Sequence, residues 1–306
     1  MKKWLLGCLF ISCTVAAQAQ SFNPSTEVGI LVGGSYYIGD LNDKHFAHIQ
    51  PAVGLVYRKN INRRFTAKAS FLRGEIRGSD KLERNVEIED LAKINRNLHF
   101  RSSIHELSGQ FEFNFFEYET GSNKYPFSPF VFTGISFYQF NPQAREIDTK
   151  TPFDNDGIGT SNEWVDLQPL GTEGQHSTHY PEKEPYMLQQ FSIPLGIGIK
   201  WSLGDKFCLI AEYGIRKTYT DYLDDVGGTY ADPAMLYMEN NQAASLSDRS
   251  NALALFLEEN PGADITAWTG NIDKQRADAN NWNDWYTFTG ITLSFKIVKT
   301  PKVCQY

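Results

Sequence analysis

Between Glu106 and Phe115 the chain alternates strictly. Leu107, Gly109, Phe111, Phe113 and Phe115 hold one phase, and Glu106, Ser108, Gln110, Glu112 and Asn114 hold the other. Side chains on a strand point to opposite faces in turn, so the segment presents one aromatic face and one polar face. The period recurs where Phe191, Ile193, Leu195, Ile197, Ile199 and Trp201 alternate with Ser192, Pro194, Gly196, Gly198 and Lys200. It recurs again over Phe207–Ile215, with Glu212 and Gly214 on the opposing face, over Ile291–Lys296, and over Phe65–Phe71. Weaker copies fit at 27–38, 51–58 and 129–140. Eight strands are thus predicted, near 27–38, 51–58, 64–73, 104–116, 129–140, 190–202, 206–219 and 285–297. That even number is one that a closed antiparallel membrane barrel allows.

The connections alternate in length. Short turns fall near Asn60–Arg63, Glu117–Phe127 and Leu203–Asp205, and long polar segments near 40–48, 74–97, 142–188 and 220–284. A soluble sandwich has no reason to gather its long loops at one end, whereas short periplasmic turns and long outer loops are the habit of outer-membrane barrels. The pattern therefore predicts an all-β fold. It is an eight-stranded antiparallel outer-membrane β-barrel with both termini on the periplasmic side. Two outer-loop stretches, Pro233–Glu239 and Arg249–Glu259, read as short helices, the second stopped by Pro261-Gly262.

Polarity sets the facing. An Arg or Lys on the lipid face at mid-membrane costs ~2–4 kcal/mol. Lys68, Glu106, Glu112, Lys200, Glu212 and Arg216, all in polar phases, are therefore expected to point into the lumen, with Lys68 and Glu112 as close neighbours. Tyr36, Tyr57, Tyr138, Trp201, Tyr219 and Trp285 lie near strand ends, where aromatic girdles form. The interior of an eight-stranded barrel is just wide enough for side chains to fill, so an anchor or platform is expected rather than an open porin.

The N-terminus reads as an export signal. Lys2 and Lys3 precede an apolar run from Trp4 to Val15, and Ala17-Gln18-Ala19 is a small-x-small cleavage site, so residues 1–19 form the expected leader and 20–306 the barrel domain. Leu5-Leu6-Gly7-Cys8 looks like a lipobox but stands too near the start for an apolar core to precede it. Loss of the leader makes the formal charge two units more negative than the whole chain's −7, a poor balance for binding nucleic acid. Aromatics form 14% of the chain, yet no stretch after the leader approaches the ~20 apolar residues of a spanning helix, which leaves strands to do the crossing.

Chemistry is sparse. His176 and His179 are spaced H-x-x-H in a polar loop without a third ligand, and His105 and Glu106 point to opposite faces of one strand. No nucleophile elbow, Walker loop or dinucleotide fingerprint is present, so no catalytic residue, metal, cofactor or small-molecule substrate is expected. Cys208 begins a strand beside a periplasmic turn and Cys304 lies in the C-terminal tail, a candidate disulfide in an oxidising compartment. The tail also offers Lys299, Pro301, Lys302 and Tyr306 as candidate periplasmic docking residues.

Four ordered blocks resemble the PorG family of outer-membrane proteins of the type IX secretion system. They are Glu27–Leu41, with Tyr37, Gly39 and Asp40; Arg96–Phe100 leading to Phe111–Phe116; Leu167–Gln175, with Gly171, Thr172, Glu173, Gly174 and Gln175; and Arg216–Val226, with Asp221, Tyr222 and Asp225. After Asp225-Val226 the family usually continues with Ser or Thr, where this chain has Gly227-Gly228. The resemblance implies a non-enzymatic barrel among outer-membrane lipids that docks the periplasmic ring of the PorK lipoprotein and PorN. An adhesin-like surface interaction protein, a narrow channel or an enzyme in the barrel mouth are the alternatives.

Overall fold

Alternation in the sequence becomes alternation of burial in the sheet. The computed structural model describes residues 22, 24–80, 93, 95–147, 160–263, 265–277 and 283–297. The leader at 1–19, and the tail with Lys299, Pro301, Lys302, Cys304 and Tyr306, lie outside them. The described strands are β1 (Ser25–Ile38), β2 (Gln50–Asn60), β3 (Phe65–Ser79), β4 (His99–Asn114), β5 (Phe127–Ile147), β6 (Thr160–Asp166), β7 (Gln189–Leu203), β8 (Phe207–Lys217) and β9 (Trp285–Ile297). They pair in the order β4-β3-β2-β1-β9-β8-β7-β5-β6, and a further β4–β5 ladder closes the ring. Eight strands thus form a closed antiparallel barrel. Closure satisfies the backbone hydrogen bonds of every barrel strand without help from solvent, the condition for crossing a bilayer. Among the described residues no helix is long and apolar enough to cross a membrane.

The barrel is apolar outside and polar inside. Ile30, Leu55, Leu107, Ile135, Ile197, Trp201 and Leu293 are exposed on the outer wall, while Lys68, Glu106, Glu112, Lys200, Glu212 and Arg216 are buried in the lumen. Room for large inward rings comes from glycines on the facing strands. A Cβ on Gly196 would lie 2.3 Å from Phe132, and one on Gly198 would lie 2.6 Å from Phe130.

The ninth strand, β6, pairs only with the far end of β5, from Gln143 to Ile147. With it, β3, β4 and β5 run beyond their expected ends and raise one side of the barrel above the rest. Above the rim the buried phase (Ile76, Phe100, Ala144) packs on loops, and the outer phase turns from apolar to charged. That switch makes these stretches read as loop in the sequence. Helices α1 (Pro233–Glu239), α2 (Asn241–Ser247) and α3 (Asn251–Glu259) fold over the mouth, and Leu246 of α2 packs against Ala144 and Leu167. Each helix starts at a side-chain cap, from Asp232, Asn240 and Ser250 respectively. The small and polar residues of α2 carry no apolar stripe, so the sequence pattern does not mark this helix.

Two girdle assignments are corrected. Tyr138 points inward and packs on Tyr286 at 5.1 Å. Tyr36 points outward but is covered by the first outer loop, with Phe46 at 5.6 Å from its ring and its hydroxyl 2.7 Å from that of Tyr213. Tyr57, Trp201 and Tyr219 are exposed, and Trp285 is half-buried.

Candidate functional site

The lumen is built around a ladder of ion pairs. Lys200 Nζ lies 2.6 Å from Glu112 Oε2, and Arg58 Nε donates to Glu112 Oε1 at 3.1 Å. The same guanidinium donates to Glu212 Oε2 at 2.7 Å, and Lys68 Nζ donates to Glu212 Oε1 at 2.6 Å. The five groups sit on β7, β4, β2, β8 and β3, so the ladder ties opposite walls together. Lys68 and Glu112 belong to one network without pairing directly, since Lys68 stands opposite Gln110 in the ladder and Glu112 opposite Thr66. Three cations meet two carboxylates. The surplus charge is met by ring faces, with Lys68 4.8 Å from the centre of Phe132 and Lys200 4.8 Å from that of Phe130. Higher in the lumen, Arg216 donates to both oxygens of Glu106, and Tyr286 donates to Glu106 Oε2 at 2.8 Å.

Below the ladder the β4–β5 connection folds back into the mouth instead of turning sharply. Tyr118 and Thr120 are buried there, and Tyr118 packs with Phe130, Phe132, Cys208 and Ile210. Thr120 Oγ1 donates to the buried Glu27 at 2.5 Å, and Lys296 Nζ donates to the Thr120 carbonyl at 2.5 Å. Cys208 carries a free thiol on the lumen side of this floor.

Above, the outer loops close the other mouth with a second buried network, and the family-signature residues converge in it. Tyr37 donates to Asp224 Oδ2 at 2.6 Å and to Asp284 Oδ1 at 2.9 Å. Gly39 permits that approach, because a Cβ there would lie 1.9 Å from Asp284 Oδ1. The carbonyl of Asp40 accepts from Arg96, which also holds Asp80 through two hydrogen bonds. Gly171 and Gly174 take positive φ values of 63° and 98°, turning the chain so that Thr172 donates to Asp225 and Glu173 meets Arg276 at 3.1 Å. Gln175 Oε1 accepts from the Glu173 amide, and the Tyr222 hydroxyl donates to Glu173 Oε2. Asp221 is close enough to Asp284 to add to the negative field around it. Tyr186 stacks on Tyr222 at 4.8 Å and donates to Asp225 Oδ1 at 2.6 Å.

Burial sets the electrostatics of this cap. It pushes Asp225 up to about 6, against the pull of the Arg276 guanidinium. Burial raises Asp224 and Asp284 well above the usual carboxylate range, reinforced for both by the charge of Asp40 and for Asp284 by that of Asp224. Among the described residues no group of three or more His, Cys, Asp or Glu is arranged to hold a metal ion.

Sequence reasoning missed Arg58, Glu27 and Arg276. Arg58 closes its predicted strand, in the inward phase with Val56, and that parity was the available signal. Arg276 lies in a loop without periodicity, and nothing local marks it.

Among solved structures, the chain is similar to the N-terminal β-barrel domain of Pseudomonas aeruginosa OprF (9% identity, TM-score 0.34). It is also similar to Neisserial surface protein A (8%, 0.39) and to Ail, the attachment invasion locus protein of Yersinia pestis (8%, 0.38). Each alignment covers 90% of this chain and 100% of the other. No curated protein matches. The family model described as a domain of unknown function, DUF6089, matches residues 2–159, and the chain belongs to that family.

Proposed function

We propose that this protein is a non-catalytic peg in the outer membrane that anchors the periplasmic ring of the type IX protein secretion system. The observation that carries the anchor is the filled barrel. The floor at Tyr118 and Thr120, the ion ladder, the Arg216–Glu106 pair and the loop cap follow one another along the lumen. A barrel so filled offers rims instead of a passage. The secretion role rests on the four sequence blocks that resemble the PorG family, and the expected leader at 1–19 agrees with export. The periplasmic rim offers Arg63, which pairs with Glu119 at 3.1 Å and stacks on Tyr125 at 4.4 Å, together with the tail residues Lys299, Pro301, Lys302 and Tyr306.

The test is a strain lacking the gene, scored for secretion of large cargo proteins. A pull-down of ring components with the full chain, and with residues 298–306 deleted, completes it. Loss of secretion and loss of capture on tail deletion are the expected results, and intact secretion overturns the anchor. A second reading, adhesion through the cap, draws on the exposed Met187, Tyr237, Met238 and Leu255. It predicts altered cell-surface binding with secretion intact.

A further inference from the structure

The outer wall changes character along β3, β4 and β5. One row of cross-strand partners is Phe71, Leu107 and Phe137, all apolar and exposed. Two residues farther from the periplasmic turns, the row reads Arg73, His105 and Gln139. Two steps beyond that, Arg77 and Arg101 stand directly opposite each other, and in the next row Arg145 faces Trp164 of β6. Like charges placed opposite on one sheet face repel. Among the described residues the repulsion is only partly answered. Glu75 holds Arg77 at 2.5 Å, but Asp166 on the same face accepts from the amides of Asn141 and Gln143. Arg101 and Arg145 lie over the Trp164 ring at 4.1 and 5.1 Å, which fixes their planes without neutralising them. Arg73 is exposed, and its side chain makes no hydrogen bond or ion pair with any described residue.

We infer that this arginine face is a binding site for the phosphate-bearing headgroup of an outer-leaflet lipid. The inference rests on the membrane reading above. Its own argument is position and charge. A chain with net charge −7 concentrates four arginines on the wall that begins where its lipid-facing apolar rows end. The layer that meets a barrel wall just beyond the hydrocarbon is the headgroup layer. A guanidinium fork binds phosphate through two parallel hydrogen bonds, and stacking on Trp164 holds the Arg101 and Arg145 planes in place on the half-exposed wall. From Arg73 to Arg77 the site extends ~13 Å along the strand, room for more than one phosphate.

The experiment uses the full chain folded into phosphatidylcholine vesicles, then extracted in detergent and titrated with phosphatidic acid or phosphatidylcholine. Bound lipid is read by native mass spectrometry. Retention of phosphatidic acid over phosphatidylcholine is expected. Arg73→Ala, which breaks no internal bond, is expected to weaken it about fivefold, and the Arg73→Ala/Arg101→Ala pair about thirtyfold. Lys59→Ala, at the opposite end of the wall, leaves it unchanged. Equal retention of the two lipids, equal retention by wild type and the double variant, or displacement by equimolar inorganic phosphate each overturns the site while the barrel stands. Failure to insert into any vesicle overturns the membrane reading and the site with it.

Discussion

Arg216 and Glu106 face each other across the upper lumen, joined by hydrogen bonds of 2.9 and 3.2 Å between groups that are both fully buried. Removing one partner of such a pair strands a charge and costs about 3–5 kcal/mol, whereas replacing both with apolar residues of similar volume is often neutral. Arg216→Met alone is therefore expected to destabilise the barrel by about 4 kcal/mol. Arg216→Met with Glu106→Leu is expected to recover most of that loss. Urea unfolding of the protein in vesicles, read as a double-mutant cycle, checks it. Additive losses would show that the two side chains act independently.

The floor makes a separate prediction through Cys208. Its thiol is buried behind Tyr118 and the 115–126 connection. In a Cys304→Ser background, a bulky maleimide added to the folded protein is expected to leave Cys208 unlabelled. Tyr118→Ser empties the floor, lowers stability by about 3 kcal/mol and lets the reagent in. Bilayer recordings of the wild type are expected to show no steps of conductance, because the ion ladder closes the lumen above the floor as well. Rapid labelling of Cys208 in the Cys304→Ser chain with Tyr118 intact, or steady conductance, would open the lumen and remove the peg.

The barrel itself was legible in the sequence because membrane crossing imposes a period-two code on every strand. Glu106–Phe115 reads as a strand on sight, and the inward phase of Lys68, Lys200 and Glu212 follows from the cost of placing them in lipid. What was not legible has two causes. Beyond the rim the outer phase faces water or headgroups, so the code lapses, and Gly74–Ser79 and His99–Ser103 look like loop although they are strand. The partners in the cap are also far apart in sequence. Arg276 meets Glu173 across 103 positions, and Tyr37 meets Asp284 across 247, which no local pattern can announce. The resemblance blocks name residues that lie far apart in the chain, with no local sign that they meet. The fold brings them together in one buried network.

Gly39 tests whether the cap docks as a unit. A methyl group at this position would lie 1.9 Å from Asp284 Oδ1 and 2.2 Å from the Tyr37 hydroxyl. Overpacking of this kind costs typically ~1–3 kcal/mol. Gly39→Ala is expected to leave the barrel resistant to heat in detergent while the 220–284 loop becomes sensitive to trypsin. Unchanged trypsin resistance would mean that the Tyr37–Asp284 contact does not hold the loops down.

The cap carries a pH dependence whose sign follows from its carboxyls. Asp225 is raised to about 6, and Asp224 and Asp284 are likewise raised well above the usual carboxylate range, because burial disfavours their charged forms. A carboxyl that keeps its proton more tightly when folded stabilises the fold fully below its unfolded value and loses that contribution as pH rises through the folded value. For Asp225 the window runs from about 4 to about 6, and a shift of roughly two units corresponds to ~3 kcal/mol of cap stability lost by pH 8. Arg276 limits the loss by pairing with the ionised form. Hydrogen exchange of the loop amides is therefore expected to be slower at pH 5 than at pH 8, after correction for intrinsic rates. Asp225→Asn removes the titrating group and keeps an acceptor for Tyr186 or Thr172, so it should flatten the part of the dependence that runs from about pH 4 to about pH 6. A cap that tightens as pH rises would reverse the sign and place these carboxylates as ionised partners of Arg276 and Arg96.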